Sequence, residues 1–163
     1  MSNSRNETKI RTASANDLDA IEAIEAVCFS DAWSKRAFSD YFENTAAYCL
    51  VLESDGVIEG YICTYCLYGE CEIVNLAVSP KCRRRGYAQA LLQAILSHAR
   101  SNAFSKVMLE VRRSNTAAAA LYEKNGFLPI AVRKNYYTKP KEDAILMDLS
   151  LAVPQNEGEE IDL

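Results

Sequence analysis

The segment Lys81-Cys82-Arg83-Arg84-Arg85-Gly86-Tyr87-Ala88 places four of the chain's 18 basic residues within five positions. It stands directly before a long amphipathic stretch. The charges therefore crowd the start of a helix, where the macrodipole is itself positive and cations are disfavoured. No acidic residue lies close by in sequence to offset them. An anion bound in the loop would resolve that local conflict. The free N–H groups of a first helical turn bind phosphate, and a glycine at position 86 allows close approach. The segment taken alone also fits a solvated basic loop. A nucleotide loop ending in Gly-Lys-Ser/Thr is excluded, because that ending is absent.

A second chemical signal is a single carboxylate in an apolar strand, Val107-Met108-Leu109-Glu110-Val111. Strand alternation puts Met108, Glu110 and Arg112 on one face and Val107, Leu109 and Val111 on the other. A carboxylate in such surroundings must be paired, hydrogen-bonded or protonated. Glu110 either pairs with a neighbouring arginine, Arg112 or Arg113, or acts as a general base. Further on, Ala118, Leu121 and Tyr122 share a helix face. Tyr122 is either a core residue with a tethered hydroxyl or a proton donor to a leaving group.

Cys63 and Cys66 have the spacing of a metal or redox pair, but they fall in a stretch that reads as a strand. Residues three apart on a strand face opposite sides, so the two sulfurs should diverge. The one histidine, His98, lies in a helical pattern far along the chain. No metal site is expected from these groups. With no secretory segment in the polar residues 1–11, the six cysteines read as reduced thiols.

These residues need elements to hold them. Thr8 to Ala13 reads as a strand. A helix follows from about Ala15 to Cys28, capped by Ser14, and a shorter one is capped by Ser34. Ala46 to Glu53 and Val57 to Tyr68 read as strands joined by the hairpin turn Ser54-Asp55-Gly56. Glu70 to Val78 is a third, and its apolar half from Ile73 suits a central strand buried on both faces. Gly86 to Asn102 and Asn115 to Asn125 read as helices, the second ended by Gly126 in a left-handed conformation. Lys106 to Val111 is the strand between them, making a βαβ unit with parallel strands. Phe127 to Arg133 and Ala144 to Leu151 read as final strands, joined by a polar loop over Lys134 to Asp143.

The whole is one domain over 1–151, followed by an acidic tail over 152–163 that reads as disordered. The tail's four acids account for all of the formal net charge of −4. The remainder is formally neutral, which argues against a nucleic-acid-binding domain. No apolar run approaches the roughly 18 residues of a membrane span. The cytoplasm is the expected compartment.

The segment Arg83-Arg84-Arg85-Gly86-Tyr87-Ala88 fits the Q/R-x-x-G-x-G/A motif of the GNAT superfamily of N-acetyltransferases. Within it the chain resembles the ribosomal-protein-alanine N-acetyltransferases. Asn75-Leu76-Ala77-Val78, Leu109-Glu110-Val111-Arg112-Arg113-Ser114-Asn115 and Ala120-Leu121-Tyr122-Glu123-Lys124-Asn125-Gly126-Phe127 carry the resemblance. Arg133-Lys134-Asn135-Tyr136-Tyr137, Glu142-Asp143-Ala144-Ile145-Leu146-Met147 and Trp33-Ser34 extend it, from about Ile10 to Leu149.

The resemblance implies an α/β (α+β) fold with a mostly antiparallel sheet, in which two parallel strands splay to admit acetyl-CoA. It implies that Leu76, Ala77 and Val78 hold the pantetheine arm through their backbone. Arg83, Arg84, Arg85, Gly86, Tyr87, Ala88 and Gln89 would form the pyrophosphate segment, and Asn115 would contact the cosubstrate. Glu110 would take the proton of the acceptor amine, and Tyr122 would protonate the departing thiolate. Trp33, Tyr136 and Tyr137 would line the peptide entrance, and a ribosomal protein N-terminus would be the acceptor. Two positions depart from the pattern. Ala88 replaces a common glycine, and Asp31-Ala32 stands before Trp33 where many relatives carry an aromatic residue and a proline.

Overall fold

The computed structural model describes residues 7–151; the acidic segment 152–163 lies outside them. All seven strands join one sheet: β1 (Thr8–Thr12), β2 (Ala47–Ser54), β3 (Val57–Leu67), β4 (Glu70–Val78), β5 (Lys106–Arg112), β6 (Leu128–Thr138) and β7 (Lys141–Ser150). Their order is β1-β2-β3-β4-β5-β7-β6. Every pairing is antiparallel except β4 with β5, as expected for the βαβ unit. The helices are α1 (Leu18–Cys28), α2 (Lys35–Glu43), α3 (Tyr87–Ser101) and α4 (Thr116–Lys124).

Alternation along the strands builds a core on each face. Leu50, Leu52 and Ile62 pack with Leu91, Leu92 and Ile95 of α3. Their strand neighbours Cys49, Val51 and Tyr61 pack on the other face with Ile21 of α1 and Phe38 and Tyr41 of α2. Cys63 and Cys66 diverge as expected: Cys63 Sγ lies 3.5 Å from Cys49 Sγ, and Cys66 Sγ lies 2.7 Å from Cys71 Sγ. His98 stacks on Tyr48 at 3.7 Å.

The feature that makes a site is where β4 leaves β5. Their ladder runs from Glu70↔Lys106 to Ile73↔Leu109 and stops, although β4 continues to Val78 and β5 to Arg112. At the same level the β3–β4 register shifts: Cys63 pairs with Asn75 while Thr64 pairs with Ile73, leaving Val74 as the extra residue of a bulge. A bulge bends its strand, and here it turns β4 away from β5. Tyr41 of α2 braces the bend. Its hydroxyl donates to Thr64 O at 2.6 Å and accepts from Thr64 N at 2.9 Å.

Three expectations need correction. The Ile73–Val78 half of β4 is not buried on both faces: Val74, Asn75 and Leu76 are only half-buried, because β5 has splayed away beside them. The polar stretch 134–143 is not a loop. β6 runs on to Thr138 and β7 starts at Lys141, with a register shift between Arg133 and Tyr137 absorbing the extra residues. The first helix does not start at Ala15. Ala15–Asp17 forms a 3-10 turn, in which Asp17 Oδ2 accepts from Ser14 N at 2.8 Å. Ser34 does cap α2, accepting from Ala37 N at 3.1 Å, and Gly126 ends α4 with φ +93°.

Candidate active site

Two cavities meet at the splay. The larger, about 460 Å³, lies between the α1–α2 connection and the β6–β7 hairpin and holds Glu110, Trp33 and Tyr137. The smaller, about 270 Å³, runs between β4 and α4 toward the arginine loop and is bounded by Leu76, Ala77, Val78, Arg83 and Ala88. Tyr122, Asn115 and Leu76 line both. On its far side, β4 is held in ladder by β3 at Leu76↔Ile62, Ala77↔Tyr61 and Val78↔Gly60. Its edge toward β5 is unpaired there, so it keeps backbone groups free to bind an extended amide-bearing chain.

At the far end of the smaller cavity the basic loop winds into α3. Arg84 and Gly86 both take left-handed conformations, at φ +65° and +77°. Ala90 N closes the first turn on Gly86 O at 3.0 Å, so the preceding N–H groups point out of the helix start. Lys81 pairs with Glu59 at 3.3 Å. Among the described residues no acidic side chain pairs with Arg83, Arg84 or Arg85, and all three are exposed. Small side chains at Ala88, Ala117 and Ala118 keep the groove open. The lining thus fits a phosphate-bearing thiol ester: cationic at one end, narrow and apolar along the arm, with free peptide groups beside it.

Glu110 does not pair with Arg112 or Arg113, as one reading of the sequence had it. Arg133 of β6 reaches it instead, Nη1 to Oε1 at 3.3 Å. Arg112 lies on the same face but is turned to Asp31 and Glu142, and Arg113 to Asp143. Tyr122 is 7% exposed. Burial, with a further contribution from Tyr137, holds its hydroxyl well above the ordinary tyrosine value. Its side chain stands at the junction and lines both cavities.

Asn115 accepts from Ala118 N at 3.1 Å through its side-chain oxygen, capping α4. The residue lines both cavities. Trp33 and Tyr137 wall the larger cavity, while Tyr136 is exposed and stands beside Glu110, whose carboxylate raises its hydroxyl. Two residues assigned to the pyrophosphate segment turn their side chains elsewhere. Tyr87 is buried, with its hydroxyl toward Ser54 Oγ at 3.3 Å, and Gln89 bonds Asn125 at 2.9 Å. Only their backbone faces the loop, because α3 presents those side chains to the core and to α4.

Sequence reasoning missed Glu25. It is 2% exposed, and its carboxylate accepts from Asn75 Nδ2 at 2.8 Å, from Trp33 N at 3.2 Å and from the Tyr61 hydroxyl. Burial raises its carboxyl above the ordinary range. It ties α1, the Trp33 loop and the β4 bulge together. A lone acid on the inner face of an amphipathic helix was the available signal. Cys28 was missed too; its thiol donates to Val78 O at 3.5 Å. The larger cavity is lined by four carboxylates, Glu25, Asp31, Glu110 and Glu142, against one guanidinium, Arg112. Such a lining favours a cationic acceptor.

The sequence pattern of the acetyltransferase (GNAT) family matches residues 18–127, and the chain belongs to that family. It is an acetyl-CoA-dependent N-acetyltransferase. It is 37% identical over 148 residues to the [Ribosomal protein bS18]-alanine N-acetyltransferase of Haemophilus ducreyi, covering 87% of this chain and 99% of that one. It is 32% identical over 146 residues to the enzyme of the same name from Escherichia coli, covering 88% and 98%. The crystal structure of the ribosomal-protein-S18-alanine N-acetyltransferase from Escherichia coli superposes with a TM-score of 0.87 at 31% identity, over 96% of this chain and 100% of that one.

Proposed function

We propose that this enzyme transfers the acetyl group of acetyl-CoA to the N-terminal α-amino group of a protein, with the N-terminal alanine of a small-subunit ribosomal protein as acceptor. The observation that carries this reading is the position of Tyr122, the shared wall of two cavities. One of them holds a carboxylate and is acidic, and the other leads to an unpaired arginine loop. The names of the relatives from Haemophilus ducreyi and Escherichia coli supply the acceptor. A cytoplasmic location follows from such an acceptor, and no helix among the described residues is long and apolar enough to cross a membrane.

In this reading the edge of β4 that has parted from β5, at Leu76, Ala77 and Val78, holds the pantetheine arm. Arg83, Arg84, Arg85 and the N–H groups from Gly86 to Gln89 surround the pyrophosphate, with Asn115 at the junction. The acceptor arrives as an ammonium, whose reference pKa is about 8, so a modest base suffices. Glu110 takes its proton. The freed amine attacks the thioester carbonyl directly, with the free N–H groups of β4 toward the developing oxyanion. Tyr122, held protonated by burial, gives its proton to the departing thiolate. Trp33, Tyr136 and Tyr137 flank the path of the peptide.

The test uses acetyl-CoA and two peptides, read by fragment mass spectrometry. One begins with a free alanine and lacks lysine; the other is blocked at its N-terminus and carries an internal lysine. Acetylation of the first alone supports the reading. Acetylation of the second alone makes the enzyme a lysine acetyltransferase with the same Glu110 and Tyr122.

A further inference from the structure

Arg112 lies two residues beyond Glu110 on the same face of β5, and its two terminal nitrogens together bond groups from three elements. Its Nη1 donates to Pro140 O at 3.0 Å and to Glu142 Oε2 at 3.4 Å. Its Nη2 donates to Lys139 O at 3.1 Å and to Asp31 Oδ2 at 3.1 Å. The guanidinium also lies over the Tyr137 ring, 4.1 Å from its centroid. Of these partners only Asp31 belongs to the α1–α2 connection. Beside it, Ser30 Oγ donates to Lys139 O at 2.5 Å. Two residues further on is Trp33, whose backbone N–H is held by Glu25. The loop carrying one aromatic wall of the acceptor cavity is thus fastened, across the mouth of that cavity, to the hairpin carrying the other.

We propose that Asp31 is a positioning residue for the acceptor: through Arg112 it couples Trp33 to Tyr137 and sets the width of the acceptor entrance. The inference rests on the reading of the larger cavity as the acceptor site. Arg112 without Asp31 would keep its hairpin partners, so the hairpin would stay while the α1–α2 tip lost its charged anchor. A charge-assisted hydrogen bond held in a planar guanidinium fork fixes direction as well as distance. Misplacement of an acceptor by a fraction of an ångström to an ångström is costly to a reaction that depends on alignment. Asp31 also neutralises Arg112 within the cavity. Its loss leaves a less compensated cation beside the site where an ammonium must bind.

The chain has one tryptophan, Trp33, so fluorescence excited beyond the tyrosine absorption band reports this loop. The experiment compares wild type with Asp31→Ala, Asp31→Asn and Asp31→Glu in the full chain, each checked for folding by circular dichroism. Two readouts are taken: acrylamide quenching of Trp33, and KM for the acceptor peptide and for acetyl-CoA separately. Asp31→Ala is expected to raise the Trp33 quenching constant and to raise the acceptor KM about three- to tenfold, with KM for acetyl-CoA unmoved. Asp31→Asn should fall between, and Asp31→Glu should recover much of the loss. Unchanged quenching in Asp31→Ala overturns the proposal, as does raised quenching with an unchanged acceptor KM. A parallel rise in both KM values also overturns it, since that marks a general loss of structure. If wild type acetylates no peptide, the acceptor reading has failed, while quenching alone still decides whether Asp31 holds the loop.

Discussion

Arg133 of β6 reaches past β7 to place its Nη1 3.3 Å from Oε1 of Glu110 on β5. The arginine is more than half exposed and also lies against the Tyr136 ring, 5.6 Å from its centroid. In the proposed reaction a substrate ammonium competes with this guanidinium for the same carboxylate. Exposed pairs of this kind are worth about 0.2–1 kcal/mol. Arg133→Gln should therefore lower the acceptor KM by a factor of about 1.5 to 5 at low salt. The difference should shrink as salt screens the pair. An acceptor KM that rises instead would make Arg133 part of acceptor binding.

Replacing Glu110 by Gln keeps the shape of the site and removes its base. Turnover should fall by about 10² to 10⁴, while acetyl-CoA binding by isothermal titration stays within error. Full activity in the variant across neutral pH would assign the base elsewhere, with Glu25 the next carboxylate in the cavity.

Tyr122→Phe removes one oxygen at the junction of the two cavities, and turnover should drop by about 10² to 10⁴ as an acid is lost. Because burial raises the Tyr122 hydroxyl, it stays protonated through the neutral range. Its ionisation should cause no alkaline fall in wild-type rate below about pH 10, the ordinary tyrosine value. An alkaline limb near neutrality that vanishes in the Phe variant would contradict this.

Glu25 makes the stability of the fold depend on pH. Its folded carboxyl is raised by burial, so the folded state holds the proton better than the unfolded chain does. Its contribution is full below the ordinary carboxylate value and is lost as pH rises through the raised folded value. Glu25→Gln should flatten that decline in thermal unfolding, which sets in as pH rises above the ordinary glutamate value of about 4.3. Glu25→Ala strands the Asn75 amide, the Trp33 N–H and the Tyr61 hydroxyl, and should cost about 2–4 kcal/mol.

Gly86 has φ +77° and open space where a Cβ would stand. Gly86→Ala thus meets no clash, only backbone strain of about 1 kcal/mol. The loop should relax and acetyl-CoA affinity fall severalfold, measured by titration. Unaltered acetyl-CoA binding would remove the pyrophosphate assignment.

Much of this enzyme was legible along the chain because its signals are local. Alternation around Glu110, the helical spacing after Gly86 and the crowded arginines each depend on near neighbours, and each stands where those patterns put it. The polar stretch 134–143 misled because a strand that carries a bulge on an exposed edge lacks clean alternation. Tyr87 and Gln89 turn their side chains to the core and to α4, which a motif does not specify, since it names positions without saying which atoms face the ligand. What only the tertiary structure decided are relationships between distant segments. Arg133 pairs with Glu110 across an intervening strand, Glu25 gathers groups from three elements, and Asp31 meets Arg112 across the cavity mouth. The bulge at Val74 that parts β4 from β5 belongs with these, since a register shift is a property of two strands together. Sequence spacing determines which face a side chain takes; which partner stands opposite is set by how the chain closes on itself.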